Sequence, residues 1–195
     1  MELSPRFADA LTFAFDLHRM QERKGTGIPY FSHLMSVAAL ALENGADEET
    51  AVAALLHDAV EDQGGREMSE KIRRRFGDRV ADIVAGCTDA EVKPKPPWRQ
   101  RKEAYIAHLA GASADVVLVS ACDKLHNARA ILADLRAIGD ALWERFAGGK
   151  EGSLWYYRSL VAAFQTRFAE VCPQRKALVE ELDRVVAEIE RLAGK

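Results

Sequence analysis

His57-Asp58 closes the apolar run Ala53-Ala54-Leu55-Leu56, and Glu61-Asp62 follows one helical turn later. On a continuous helix these four positions share a face, because residue 57 stacks over 61 and 58 over 62. Four ionisable side chains then line one stripe beside a segment that must be buried. Burying that many carboxylates without a cation is costly, and a bound metal removes the conflict. A second stripe, Asp123, His126 and Asn127, follows another apolar run, and His33 stands near the start of an upstream helix. His33, His57, Asp58 and Asp123 form a two-histidine, two-carboxylate set of nitrogen and oxygen donors. Such a set suits Mn²⁺, Fe²⁺ or Zn²⁺ better than a thiolate-bound metal, with positions left for water and substrate.

Taken singly, each of these features has an ordinary explanation. A His-Asp dipeptide arises by chance in many chains, and a histidine near a helix start is more often a cap or a satisfied core residue than a ligand. The combination is what points to chemistry: an apolar run, His-Asp, Glu-Asp one turn on, an upstream histidine, and an aspartate at the buried end of a later helix.

The elements that position these residues read as helices almost throughout. Ser4-Pro5 is a cap followed by proline at the first helical position, and Phe7, Leu11, Ala14, Leu17 and His18 repeat at helical spacing toward Lys24. Gly25 to Tyr30 interrupt the pattern. Ser32 can cap a second helix to Asn44, with Gly45 as its stop, and Asp47 a third through Val60, ended by Gly64-Gly65. Further helices are expected over 67–76, 79–87, 98–110, 114–138, 153–171 with Ser153 as cap, and 173–192. The prolines of Lys93-Pro94-Lys95-Pro96-Pro97 forbid regular structure between two of them. Val116 to Val119 could be read as a strand, but no partner run exists and helical spacing continues through Leu125, Ala128 and Leu132. The expected fold is all-α, a compact multi-helix bundle in a single domain over 1–195, with its motifs in about 15–135 and C-terminal helices over about 153–192.

Composition bounds the function. The 195 residues are 48% hydrophobic and 29% charged, an ordinary globular balance. A chain of this length buries enough surface to need no disulfide or structural metal, so a metal here would serve chemistry. The three cysteines, Cys87, Cys122 and Cys172, are far apart and form no C-x-x-C pair, which fits a reducing compartment. The charged N-terminus does not look like a signal peptide, and no apolar run is long enough to span a bilayer. A cytoplasmic protein is expected. A net charge of -3 gives no global attraction to nucleic acid or to a membrane surface. The partner expected is a small-molecule nucleotide, bound by a monomer or small homo-oligomer.

With these residues in view, the sequence resembles the HD-domain phosphohydrolases, and within them the hydrolase domain of RelA/SpoT alarmone enzymes and the stand-alone small alarmone hydrolases. The stretches that carry the likeness are Arg23-Lys24 with Gly27-Ile28-Pro29-Tyr30-Phe31-Ser32-His33, then Ala53 to Asp62, Phe76-Gly77, Thr88-Asp89, and Asp123-Lys124-Leu125-His126-Asn127. His-Asp marks only the broad superfamily, whereas the Glu-Asp pair and Asp-Lys-Leu-His-Asn are far more specific. The resemblance covers the hydrolase and not the synthetase, so it implies a hydrolase only. It implies a Mn²⁺-dependent (p)ppGpp 3′-pyrophosphohydrolase that releases pyrophosphate and GDP or GTP. His33, His57, Asp58 and Asp123 then look like the Mn²⁺ ligands, and Glu61 and Asp62 like the pair that positions and deprotonates the attacking water. Asn127 is similar to a residue that contacts substrate near the ribose and phosphate. Arg23 matches a position whose guanidinium stacks on the purine, and Lys24 one that meets phosphate.

Weaker candidates lie outside these motifs. Lys150 and Tyr156 fall near the place where the family has a basic residue and a tyrosine closing the pocket, with a spacing that departs from the pattern. Lys93, Lys95, Arg99, Arg101 and Lys102 form a basic run that suits a polyanionic substrate or a solvated loop equally well. Arg73-Arg74-Arg75 reads as a solvated face. Leu178, Leu182, Val185, Ile189 and Leu192 form a seam better suited to packing on the parent fold than to a coiled coil. Two alternatives stand beside the leading function. One is an HD-domain phosphatase acting on an adenine alarmone, NADPH or a nucleoside monophosphate; the other is a nucleotide-binding module without turnover. Arg23-Lys24 and the Glu-Asp pair favour the alarmone branch, and the full ligand set speaks against a non-catalytic module.

Overall fold

The computed structural model describes residues 2–89 and 96–194, so the basic residues Lys93 and Lys95 lie outside the described residues. The fold is all-α. Among the described residues the only β feature is an isolated antiparallel bridge between Glu22 and Pro29. By their contacts the residues group into two compact units, one from the stretch 1–95 with Leu118–Cys122, the other from Pro96–Val117 with Asp123–Lys195.

The first unit carries α1 (Pro5–His18), α2 (Phe31–Glu43), α3 (Glu48–Leu56), α4 (Ala59–Gln63) and α5 (Gly65–Cys87). Its centre is α3, in which every residue from Thr50 to Leu56 is buried. A helix apolar on all sides must be surrounded, and α3 packs against α1, α2 and α5. Its start is fixed by Asp47, whose side chain accepts from the Thr50 N–H at 2.9 Å, as the cap reading expects. Glu48 and Glu49 in the first turn suit the positive end of the helix dipole, and Arg79 bridges Asp47 and Glu49 at 2.7 and 3.0 Å.

Three boundaries in this unit differ from the sequence expectation. First, α1 stops at His18 rather than near Lys24, and its buried residues are Ala10, Phe13, Ala14 and His18. Residues 19–30 form a tight return instead, held by Arg23 N–H to Ile28 C=O and Tyr30 N–H to Gln21 C=O, both at 2.8 Å. Gly25 and Gly27 supply the positive φ that such a return needs. Second, Ser32 does not cap α2. It lies one residue inside the helix, and its hydroxyl donates to the Pro29 carbonyl at 2.8 Å. Third, the helix expected through Val60 breaks at His57-Asp58 into α3 and the short α4, so the four ionisable residues do not share one continuous helix.

α5 is bent at Gly77, whose φ of 84° and ψ of 170° are open in practice only to glycine, so two helices meet where the sequence expects two. The Phe76 carbonyl exposed by the bend accepts a hydrogen bond from the Arg6 guanidinium. Arg73 pairs with Asp78 and Asp82, Arg74 with Glu70 and Arg75 with Asp9, which makes the arginine run an exposed ionic face.

The second unit carries α6 (Trp98–Leu109), α7 (Ala114–Ile138, whose residues 118–122 belong to the first unit), α8 (Gly149–Val171) and α9 (Lys176–Leu192), with short 3-10 helices at Gly139–Arg145 and Pro173–Arg175. The apolar run Val116–Val119 is helical, capped by Ser113. α8 begins four residues before Ser153, whose hydroxyl donates back to the Gly149 carbonyl at 2.6 Å instead of capping. Gly148 and Gly152 leave room for Trp98: a Cβ at Gly148 would stand 2.6 Å from its indole. α9 packs on α8 through Leu178, Val179, Leu182, Val186 and Ile189, with Val186 rather than Val185 at the seam and Leu192 left 39% exposed. Arg158 ties the two helices through Asp183 at 2.6 Å and Glu190. All three tryptophans, Trp98, Trp143 and Trp155, lie in this unit. No described helix is long and apolar enough to cross a membrane, and the three cysteines are buried without a disulfide.

The Gly77 bend gives a test of this description. Gly77→Ala should destabilise the protein by about 1–3 kcal/mol, because alanine must adopt a backbone conformation it strongly disfavours. Urea unfolding followed by circular dichroism should show the midpoint fall; an unchanged midpoint would remove the strained glycine from the account.

Candidate active site

The break between α3 and α4 is where the site forms. His57 and Asp58 sit at the end of the buried helix, and α4 restarts with the Asp62 N–H bonded to the Asp58 carbonyl at 3.0 Å. Among the described residues, His33, His57 and Asp58 bring metal-ligating atoms within 4.8 Å of one another. His33 and His57 are 1% and 2% exposed, so water screens them poorly. Asp58 Oδ2 lies 3.0 Å from His57 Nε2 and 3.7 Å from His33 Nε2, and the two imidazoles meet edge-on at 5.3 Å.

The hydrogen bonds decide what these atoms can do. His57 Nδ1 lies 2.8 Å from the Ala54 carbonyl, an acceptor, so Nδ1 carries the ring proton and Nε2 presents its lone pair toward Asp58. A lone pair facing a carboxylate oxygen is repulsive unless a cation lies between them. A divalent ion answers both histidines and Asp58 together, and the mixed nitrogen and oxygen donors fit such an ion. Tyr30 donates its hydroxyl to Asp58 Oδ2, the oxygen that both histidines approach, which helps to orient the carboxylate.

Glu61 and Asp62 project from α4 and are held by different segments. Glu61 Oε2 accepts from the Asp89 N–H at 3.3 Å, just past the end of α5. Asp62 Oδ2 accepts from the Gln21 side-chain amide at 2.7 Å, from the return after α1. Desolvation around the carboxyl raises the Asp62 pKa despite the exposure of the residue; the Gln21 hydrogen bond opposes the shift, and the charges of Asp58 and Glu61 add to it. Arg23 and Lys24 lie on the same return, Arg23 half-buried and Lys24 exposed.

The remaining expected residues belong to the second unit. Asp123 is buried on α7, with Asn127 Nδ2 donating to its Oδ1 at 2.5 Å and Lys124 paired with its Oδ2. Burial alone would lower the Lys124 pKa, but Asp123, Tyr105 and Tyr156 raise it well above the ordinary lysine value. Tyr156 is therefore part of the surroundings of Asp123 and Lys124, and Lys102 sits over its ring at 4.9 Å. Lys150 is engaged elsewhere, with its ammonium on Asp140 at 2.9 and 3.2 Å. Arg99 stacks on Trp155 and pairs with Glu103, and Arg101 donates to the Pro96 carbonyl.

Sequence reasoning gave no role to Tyr30, His18, Gln21 or Asp89. The available signals were a histidine, His18, at a core position of the apolar repeat of α1, and the place of Tyr30 and Asp89 in stretches that resemble the family. If Tyr30 orients Asp58, Tyr30→Phe should weaken Mn²⁺ binding to the protein on the order of 10-fold while leaving the fold intact. Isothermal titration with Mn²⁺ reads this directly, and equal affinities in the two proteins would remove Tyr30 from the metal's surroundings.

Comparison with known proteins accords with this arrangement. A family model described as HD domain matches residues 10–150. A guanosine-3′,5′-bis(diphosphate) 3′-pyrophosphohydrolase of Aquifex aeolicus is 38% identical over 125 residues, 63% of this chain and 17% of the relative. The pyrophosphohydrolase MESH1 of Xenopus tropicalis is 38% identical over 124 residues, 62% of this chain and 66% of the relative. The chain thus spans less than two thirds of either relative. The solved structure of a metazoan ortholog of SpoT that hydrolyzes ppGpp superposes with a TM-score of 0.74 at 26% identity, covering 100% of this chain and 98% of that one. With the family model matching residues 10–150, and the His-Asp pair set at the end of a buried helix, the chain belongs to the HD-domain family.

Proposed function

We propose that the chain is a Mn²⁺-dependent 3′-pyrophosphohydrolase of ppGpp and pppGpp, releasing pyrophosphate with GDP or GTP, and that its 195 residues act as one HD hydrolase domain. The observation that carries this reading is the convergence of His33, His57 and Asp58, followed one turn on by Glu61 and Asp62. The printed activities of the Aquifex and Xenopus relatives and of the metazoan SpoT ortholog support it. His33, His57 and Asp58 hold the divalent ion, with Asp123 as the fourth ligand that the family resemblance names. When bound, such an ion acidifies water and offsets charge on phosphate.

The residues of the chain divide the remaining work. Glu61 and Asp62 orient the attacking water and take its proton on carboxylate oxygen. The water oxygen bonds to the phosphorus attached to the ribose 3′ oxygen, and the bond from that phosphorus to the ribose breaks. The ribose oxygen leaves as an alcohol after taking up a proton, and the two phosphates depart together. Arg23 stacks on the purine and Lys24 meets phosphate from the return after α1, while Asn127 contacts the ribose and phosphate region. Tyr156 and Lys150 belong to the substrate side by the same resemblance, Lys150 only after leaving Asp140. The protein works in the cytoplasm as a monomer or small homo-oligomer.

Two experiments test the reading. Mn²⁺-loaded protein incubated with ppGpp should yield pyrophosphate and GDP. Orthophosphate as sole product, or turnover confined to NADPH or a nucleoside monophosphate, would assign a different phosphatase; tight binding without product would assign a binding module. Glu61→Gln keeps the shape of the side chain but not its basicity. It should lower kcat on the order of 100-fold while bound Mn²⁺ stays near the wild-type amount, and a normal kcat would take Glu61 out of the mechanism.

A further inference from the structure

Behind Asp62 lies a chain of hydrogen bonds that begins at a buried histidine. His18, the last residue of α1, is 1% exposed, and its Nδ1 lies 2.7 Å from Gln21 Oε1. The same oxygen accepts from Gln63 Nε2 at 2.9 Å, and Gln21 Nε2 donates to Asp62 Oδ2 at 2.7 Å. Two donors on one carbonyl fix the amide. Flipped, the amide would set its oxygen against the Asp62 carboxylate, which can only accept, so the –NH₂ faces Oδ2 and the carbonyl faces His18 and Gln63. The other face of His18 stacks on Tyr30 at 5.5 Å and 26°, and Tyr30 is the residue that donates to Asp58. One buried imidazole thus reaches both sides of the site: Asp62 through Gln21, and Asp58 through Tyr30.

We infer that His18 and Gln21 are positioning residues that lock Asp62 Oδ2 as a hydrogen-bond acceptor, so that Oδ1 is the oxygen through which Asp62 serves the attacking water alongside Glu61. Only a donor can face Oδ2, because the Gln21 carbonyl is already held by His18 and Gln63. A proton arriving on Asp62 must therefore reside on Oδ1. Without the arm, the carboxylate turns about its χ2 and the proton-accepting oxygen is no longer fixed.

The kinetic arm of the test rests on the proposed hydrolase; a second readout does not. In metal-free protein, the Asp62 carboxyl can be titrated by ¹³C NMR against the wild type. The charged and titratable groups that also face that carboxyl, Asp58, Glu61 and His18, are present in both proteins. Gln21→Ala removes a hydrogen bond to the ionised form, so the Asp62 titration should move to higher pH. With ppGpp as substrate, Gln21→Ala should lower kcat about 10- to 100-fold with KM nearly unchanged. The loss should vanish when Gln21→Ala is added to Asp62→Asn, because the arm acts only through that carboxylate. His18→Phe keeps the stacking ring but not the Nδ1 donor, and should reproduce the effect in weaker form. Gln21→Met, close to the native side chain in size but without the amide, provides the same test if the alanine variant unfolds. An Asp62 titration unmoved by Gln21→Ala or Gln21→Met overturns the inference, as does a full additive loss in the Asp62→Asn background. A moved titration in a protein that does not hydrolyse ppGpp keeps the inference and rejects the hydrolase reading instead.

Discussion

A carbonyl in the last turn of a buried helix runs short of intrahelical donors, and in α3 the Ala54 carbonyl is met by the ring of His57. The rest of the site depends on that bond. It places the imidazole proton on Nδ1, turns the Nε2 lone pair toward Asp58, and holds the ring at the mouth of a helix whose residues from Thr50 to Leu56 are all buried. Local backbone need and site chemistry are met by one side chain. A residue without a ring donor at position 57 would leave both unmet.

The acids around that histidine are arranged on a common plan. Each accepts from a segment other than its own: Asp58 from Tyr30, Glu61 from the Asp89 N–H, and Asp62 from Gln21. Crowded carboxylates repel one another, and donors drawn from the return after α1 and from the end of α5 keep them oriented without neutralising them. Asp123 follows a different plan, since its donors Lys124 and Asn127 come from its own helix. Those two bonds are local to α7, whereas the bonds of Asp58, Glu61 and Asp62 to Tyr30, Asp89 and Gln21 join distant parts of the first unit.

That distinction explains what could be read in the sequence. Helix periodicity, the Asp47 cap and the interruption at 77 act over a few residues, and the corresponding helix start and bend stand where the pattern puts them. The ionisable residues were visible by type and spacing. The break at His57-Asp58 was not, because both residues are compatible with a helix and the interruption serves the site, not local propensity. Ser32 and Ser153 have the residue type of a cap, yet both bond back to a carbonyl from inside a helix, a choice that sequence alone does not decide. The roles of His18 and Gln21 arise only when the return after α1 meets α4, a contact between segments some forty residues apart.

The placement of the tryptophans divides the chain optically. Trp98, Trp143 and Trp155 all belong to the second unit, and Tyr30 is the lone tyrosine of the first. Intrinsic emission excited at the red edge of indole absorption therefore watches α6 to α9 and is blind to the helices that carry His33, His57 and Asp58. Backbone dichroism, in contrast, weighs the helices of both units. A protein in which the first unit loosened on its own would keep its fluorescence while losing ellipticity, so the two signals together report whether the units melt as one.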